Sequence, residues 1–299
     1  MPAGSNAMFK AISEAQIRSI VPVLPYVTSA HLNWSGVEVH RYRLGPGMSR
    51  EHSFSQLVVF LPHVNEPIRC EVEAEGKLFR YQLNNNTVSI VPPGLKVKSR
   101  RFGVYELTAI FLDPLAMAEI ARAATGLDFP EVIHQVGIRD PLIRSIGTML
   151  DAELTAEHPC PQIYADSLAA ALASHIFVKY TKPVSDSIRR LSLNRSQLRR
   201  VIEFINENLD KDLPLSDLAV VANMSKYHFA KSFRRAIGIA PHQYLVRVRI
   251  EKARKLLLTE DTASLAEIAR RVGYADPTFF SAQFLKTVGM SPSRYRTNR

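Results

Sequence analysis

LSDLAVVANMSKYHFAKSFRRAIG, from Leu215 to Gly238, is the stretch whose reading decides the fold of the last third of the chain. Pro214 opens a short helix, Leu215 to Ala222, that stops at Asn223 and Met224. Ser225 is placed to cap a second helix, Lys226 to Ile237, and Gly238 to end it. The caps matter because the first N–H groups of a helix have no partner inside it. Upstream, Leu198, Val201, Ile202 and Ile205 fall on one face of a further helix. Two short helices joined by a tight turn, the second rich in Lys and Arg, are what a helix-turn-helix requires.

The same device recurs about fifty residues later. Ser264 to Glu267 has the form of a capping box; its helix runs to Val272, and Gly273-Tyr274 makes the turn. Asp276-Pro277 supplies a cap and a first-turn proline for a second recognition helix, Thr278 to Val288, closed by Gly289. Residue by residue, Leu218-Ala219 matches Ile268-Ala269, Phe229 matches Phe280, Phe233 matches Phe284 and Gly238 matches Gly289. Between the units, His242 to Leu258 carries Tyr244, Leu245, Val248, Ala253, Leu256 and Leu257 on an apolar stripe. As a helix it is a rod of roughly 25 Å. Recognition helices held by such a rod can enter successive major-groove segments about 34 Å apart on one side of the duplex.

These residues resemble the AraC/XylS family of bacterial regulators. The likeness runs through Ser225 to Gly238, then Tyr244-Leu245, Arg249-Ile250, Ala253 and Leu256-Leu257. It continues through Ile268-Ala269, Gly273-Tyr274, Phe279-Phe280, Phe284, Gly289, Ser291-Pro292 and Tyr295-Arg296. The resemblance implies a seven-helix module that binds double-stranded DNA and a role in transcription, usually activation by contact with RNA polymerase. It also implies an N-terminal cupin-like barrel that senses a ligand or dimerises.

Charge supports a nucleic-acid partner. From Arg189 onward there are 21 Lys/Arg against 10 Asp/Glu, a balance of +11, while residues 1–188 hold 17 against 18. All the excess positive charge therefore sits with the repeated helices. No apolar run reaches the roughly 18 to 20 residues that span a bilayer, and the first ten residues lack the basic and apolar regions of a secretory signal. Cys70 and Cys160 are too few for a disulfide framework or a four-thiolate zinc site, so the expected compartment is the cytoplasm.

The first half reads as strands at Val37–Leu44, Gln56–Leu61, Ile68–Val72, Lys77–Leu83, Thr87–Val91 and Tyr105–Leu112. Helical periodicity follows at Pro114–Thr125, Pro141–Glu153 and Pro161–Tyr180, each beginning at a proline. The expected fold is α+β. A β-barrel with trailing helices occupies residues 9–182 after a tag-like segment at 1–8, a linker spans 183–196, and an all-α DNA-binding domain of two helix-turn-helix units joined by a linker helix fills 197–299.

In the first recognition helix, Tyr227, Ala230 and Lys231 are placed to face bases, and Lys226, Arg234 and Arg235 to neutralise phosphates. The second offers Thr278, Ser281, Ala282, Gln283 and Lys286. The family often has arginine at the position of Ala282 and arginine or lysine near Leu285, so the first unit is expected to dominate specificity. Phe229, Phe233, Phe280 and Phe284 recur on one helical face and are expected in the core.

Catalysis has no support in the sequence. His31, His40, His52 and His63 are scattered without a His-x-His pair, and there is no phosphate loop, nucleophile elbow or paired-carboxylate signature. No cofactor and no metal are expected. The primary expectation is a ligand-responsive activator whose barrel binds a small effector, with Arg41, Arg43, Arg100 and Arg101 as candidates for an anion pocket. It is expected to form a homodimer through the helices of 141–180, where Leu168, Leu172 and Ile176 need a cover. Two rival readings are a constitutive DNA binder with a purely dimerising barrel and a metal-dependent cupin enzyme fused to a DNA reader. A DNA-repair methyl acceptor would need a cysteine cluster that this chain lacks.

Overall fold

The computed structural model describes residues 24–32, 34–183, 192–260, 263–288 and 290–297. The tag-like segment 1–8, most of the linker and the closing Gly289 lie outside the described residues. The chain falls into two compact units, one built on Met1–Arg195 and one on Ser196–Arg234 with Ile239–Arg299. No described helix is long and apolar enough to cross a membrane.

The N-terminal unit contains β1 (Val27–Thr28), β2 (Val37–Leu44), β3 (Gly47–Met48), β4 (Leu57–His63), β5 (Ile68–Ala74), β6 (Lys77–Leu83), β7 (Thr87–Val91), β8 (Val97–Arg101) and β9 (Tyr105–Leu112). Helix α1 (Pro114–Thr125), strand β10 (Gln135–Arg139), and helices α2 (Pro141–Glu153) and α3 (Gln162–Lys179) follow. The six strands legible from alternation are all present. The two edge dipeptides, β8 and β10 are additions.

The strands form two antiparallel sheets, ordered β1-β2-β9-β4-β7-β10 and β3-β8-β5-β6, and not one closed barrel. Among the described residues, β1 and β3 are edge strands of two residues each, too short to carry a closing ladder. Alternation explains the packing. Inward-facing Tyr42, Val58, Val91 and Phe111 of the larger sheet meet Cys70, Leu83 and Val97 of the smaller one in a single cluster.

The other face of the larger sheet is covered by helices. Val39, Leu61, Ile90 and Ile110 pack against Ile143 and Leu150 of α2 and Leu172 and Ile176 of α3. Each such side chain contributes about 1.5 to 3 kcal/mol on burial. Gly147 permits the close approach of α2, since a Cβ there would lie 2.4 Å from Leu61. The Leu172–Ile176 face of α3 is therefore occupied by its own unit, and Leu168 is packed against the same core.

Polar side chains fix the helices to the sheet. Asp113 and Asp140 accept backbone N–H groups at the starts of α1 and α2. Arg41 donates from Nε and Nη2 to Asp151 of α2 at 3.0 and 2.7 Å, and Thr108 donates to the same carboxylate at 2.7 Å. Arg41 thus faces the helices, Arg43 and Arg100 face solvent, and only Arg101 of the four candidate arginines turns between the sheets. Three of the four candidate histidines have local ring partners: His40 lies against Glu38 and Tyr42, His52 against the Arg50 carbonyl, and His63 against Thr108.

The C-terminal unit is all-helical: α4 (Arg195–Glu207), α5 (Leu215–Val221), α6 (Lys226–Ile237), α7 (Pro241–Thr259), α8 (Leu265–Arg271), α9 (Pro277–Val288) and α10 (Pro292–Thr297). Its core gathers Val201 and Ile205 of α4, Phe229 and Phe233 of α6, Ile250 and Leu257 of α7, and Phe280 and Phe284 of α9. All four phenylalanines are fully buried, as their helical spacing requires.

Candidate nucleic-acid interface

The two helix-turn-helix units are built alike down to single hydrogen bonds. In the first, Asn223 N–H donates to the Val220 carbonyl at 2.8 Å and Met224 N–H to that of Ala219 at 2.9 Å. In the second, Gly273 N–H donates to Arg270 at 3.0 Å and Tyr274 N–H to Ala269 at 2.9 Å. Asn223 and Gly273 both have positive φ, 53° and 85°, which turns the chain sharply between the helices. The recognition helices then open on their caps. Ser225 Oγ accepts from His228 N–H at 3.4 Å, and Asp276 accepts from Thr278 N–H at 2.7 Å.

Each recognition helix is anchored by the same aromatic run. Phe229 meets Phe233 and Phe233 meets Tyr244, with ring centroids 5.5 Å apart in both pairs. Phe280 meets Phe284 at 5.7 Å, and Phe284 meets Tyr295 at 5.5 Å. Tyr244 and Tyr295 lie one repeat apart, each just inside a helix that opens with a proline, Pro241 or Pro292. The N-terminal part of α7 therefore does for the first unit what α10 does for the second.

With Phe229 and Phe233 turned inward, spacing places Tyr227, Ala230, Lys231 and Arg234 on the outer face of α6. Tyr227, Lys231 and Arg234 are exposed, and Ala230 is half-buried between them. Lys226 is exposed and Arg235 half-buried on the flanks. This face offers a phenol, an ammonium and a guanidinium around a small residue, chemistry suited to base edges and phosphates.

The outer face of α9 differs. Thr278, Ala282 and Lys286 are exposed there, and so are Phe279 (53%) and Leu285 (50%), which were absent from the sequence-derived candidates. The pairing of Phe229 with Phe280 already sets Leu285 opposite the exposed Arg234, which is the signal for its exposure, whereas Phe279 falls opposite the half-buried His228 and has no such signal. Ser281 and Gln283 sit half-buried on the flanks, and the Ser281 hydroxyl donates to the Pro277 carbonyl of its own helix at 2.9 Å. The second face is thus mainly apolar, with Lys286 as its cation.

Helix α7 ties the units together through two arginines. Arg249 donates to the carbonyls of Leu209 and Lys211, at 2.9 and 2.5 Å, and its guanidinium lies 5.5 Å from the centre of the Tyr274 ring. Arg254 pairs with Glu251 at 2.9 Å and donates to the Tyr295 hydroxyl at 3.0 Å. These cations hold structure. Burial pushes the Tyr274 phenol up, and its hydroxyl has no hydrogen-bond partner among the described residues.

Comparison with known proteins agrees with this geometry. A helix-turn-helix domain family matches residues 218–298. The chain is 33% identical over 107 residues to the lactose operon transcription activator of Staphylococcus xylosus, covering 36% of this chain and 38% of that protein. It is 28% identical over 256 residues to the MmsAB operon regulatory protein of Pseudomonas aeruginosa, covering 83% of this chain and 77% of the relative. The chain thus spans under half the length of the first of these relatives and about three quarters of the second. A crystal structure of unsaturated fatty acid bound ToxT from Vibrio cholerae shares the fold at a TM-score of 0.53 and 12% identity, covering 88% of this chain and 95% of that one.

Proposed function

We propose that this chain is a DNA-binding transcription regulator of the AraC type, a reading its C-terminal unit and its relatives support, and that it is a ligand-responsive activator in which α6 supplies most of the sequence reading. The observation that carries this is the difference between two helices held by identical turns. The outer face of α6 presents Tyr227, Lys231 and Arg234, and that of α9 presents Phe279, Ala282 and Leu285. Lys231 and Tyr227 meet base edges, with Ala230 allowing the approach, while Lys226, Arg234 and Arg235 meet phosphates. Helix α9 contributes Thr278, Ala282 and its apolar neighbours to thymine methyl groups and Lys286 to the backbone, with Ser281 and Gln283 at the margins.

Regulation enters through the N-terminal unit. Two of the relatives named above are an operon activator and an operon regulatory protein, and the ToxT structure of the same fold is bound to a fatty acid; in our reading an effector of this chain sits in its β domain. The cavity between the two sheets, of about 130 Å³, gives such an effector a place. In this reading the protein works in the cytoplasm as a homodimer, contacts RNA polymerase, and needs no cofactor. The test is DNA binding by full-length protein across salt concentrations. Several phosphate contacts give an affinity that falls steeply with salt, at a slope of about 0.9 per contact. A flat salt profile contradicts the reading.

A further inference from the structure

We propose that the inter-sheet cavity binds a small carboxylate with an apolar body, seated by its carboxylate on Arg101. This rests on the reading of the N-terminal unit as an effector domain and adds the chemical class of the effector.

Alternation along β8 turns Val97, Ser99 and Arg101 inward and leaves Lys98 and Arg100 outside. An arginine at an inward position between two apolar sheets is unusual, because removing its charge from water is costly unless an anion compensates. Arg101 is only 7% exposed. Its hydrogen-bond acceptors are neutral: the Gly45 carbonyl, 3.2 Å from Nε, and Ser99 Oγ, 3.1 Å from Nη1. Among the described residues no carboxylate lies within 4.0 Å of it. By contrast, Arg41 in the same unit, similarly withdrawn from solvent, has Asp151.

The cavity wall contains no Asp or Glu, and its other titratable nitrogens belong to His52 and His134. Burial lowers the pKa of both histidines, so at neutral pH they carry no charge and Arg101 is the one formal charge on the wall. That charge is felt by His52, Cys70 and Tyr105 around the same space. The rest of the wall is largely aromatic and aliphatic, including Phe54, Phe60 and Phe111. A volume of about 130 Å³ is close to that of engineered apolar cavities that accept benzene, roughly 150 Å³, which sets the ligand's apolar body at about one ring or a six-carbon chain. One guanidinium, an apolar wall and no acid select a monoanion over a sugar, an amine or a dianion.

The experiment measures calorimetric binding and thermal unfolding of the full-length protein with phenylacetate and hexanoate, and with their uncharged counterparts 2-phenylethanol and 1-hexanol. The acids are expected to bind at least tenfold more tightly than the alcohols and to raise the unfolding midpoint. Arg101→Met is expected to lose that tenfold preference while unfolding, without ligand, no lower than the wild type, since it removes an uncompensated buried charge. Arg101→Lys keeps the preference for acids at reduced affinity. If Arg101→Met does not fold, the acid-to-alcohol ratio in the wild-type protein decides alone. Equal binding of acids and alcohols, or no binding of either series, overturns the proposal. Binding of acids without any change in DNA affinity leaves the site standing and sinks the effector reading on which it rests.

Discussion

Asn223 and Gly273, fifty residues apart in the chain, hold the same left-handed position in the turns of two successive helix-turn-helix units, with φ of 53° and 85°. The position is equivalent, but the surroundings are not. A Cβ on Gly273 would lie 2.1 Å from the Leu209 carbonyl oxygen and 2.5 Å from the Arg249 guanidinium. Asn223→Ala therefore costs about 1 kcal/mol, the ordinary price of a left-handed alanine. Gly273→Ala forces backbone to move and costs at least about 2 kcal/mol more. Chemical unfolding of both variants checks the order, and equal losses contradict it.

The division of labour between α6 and α9 is tested on DNA. Lys231→Ala is expected to cost about 1 to 3 kcal/mol of discrimination at its base pairs, and Gln283→Ala less. Arg234→Ala is expected to weaken all sequences alike and to lower the salt slope by about 1. The reverse change, Leu285→Arg in α9, raises that slope by about 1. Binding isotherms on a panel of single-base site variants at several salt concentrations separate these outcomes.

Asp140 is the electrostatic anchor between α2 and α3. Its carboxylate accepts from Lys179 Nζ at 2.8 Å and Tyr180 Oη at 2.7 Å, and His175 Nε2 lies 2.9 Å away. Burial alone raises its pKa, and the bonds to His175, Lys179 and Tyr180 more than reverse this, holding the carboxyl well below the usual aspartate range. A carboxyl depressed by folding stabilises the protein above its unfolded pKa of about 3.9, and that contribution is lost as pH falls through the lower folded value. Asp140→Asn is expected to be about 3 kcal/mol less stable at pH 7 and to show a flatter loss of stability between roughly pH 5 and 2. Parallel acid-unfolding profiles would contradict the assignment.

The proposed dimer surface lies on a different face of α3 from the one its apolar pattern suggests. Leu172 and Ile176 are buried in their own unit, while Ile163 (72% exposed) and Val178 (71%) look out along a face that also holds exposed Ser167 and Ala171 and no charge. Ile163→Lys with Val178→Lys is expected to shift sedimentation from dimer to monomer with little change in unfolding midpoint, because both side chains are already exposed. An unchanged mass contradicts the use of this face.

How legible the molecule is in its sequence follows from how local its determinants are. The helix-turn-helix units are written in neighbouring residues: caps such as Ser225 and Asp276, turn residues such as Asn223 and Gly273, and phenylalanines four apart. Strands β2 and β9 are likewise visible because apolar alternation marks them. Strand β8 is not, since its inward residues include Ser99 and Arg101, which break the pattern that strand reading relies on. Strand β10 is hidden by Gly137 and by a register shift between Gln135 and Ile138. The cavity could not be read at all, because Tyr42, Phe60, Leu83 and Arg101 come from four different strands and meet only in the folded unit. The exposed Phe279 and Leu285 were obscured by the resemblance of their surroundings to core positions.

The most direct test of the central claim is selection of binding sites from a random duplex pool by the full-length protein. The account predicts one enriched asymmetric motif of two segments about one helical turn apart, with strong base preference in the segment read by α6 and a weaker, A·T-leaning preference in the segment read by α9. Enrichment of no motif, or of one whose two segments are equally informative, would contradict it.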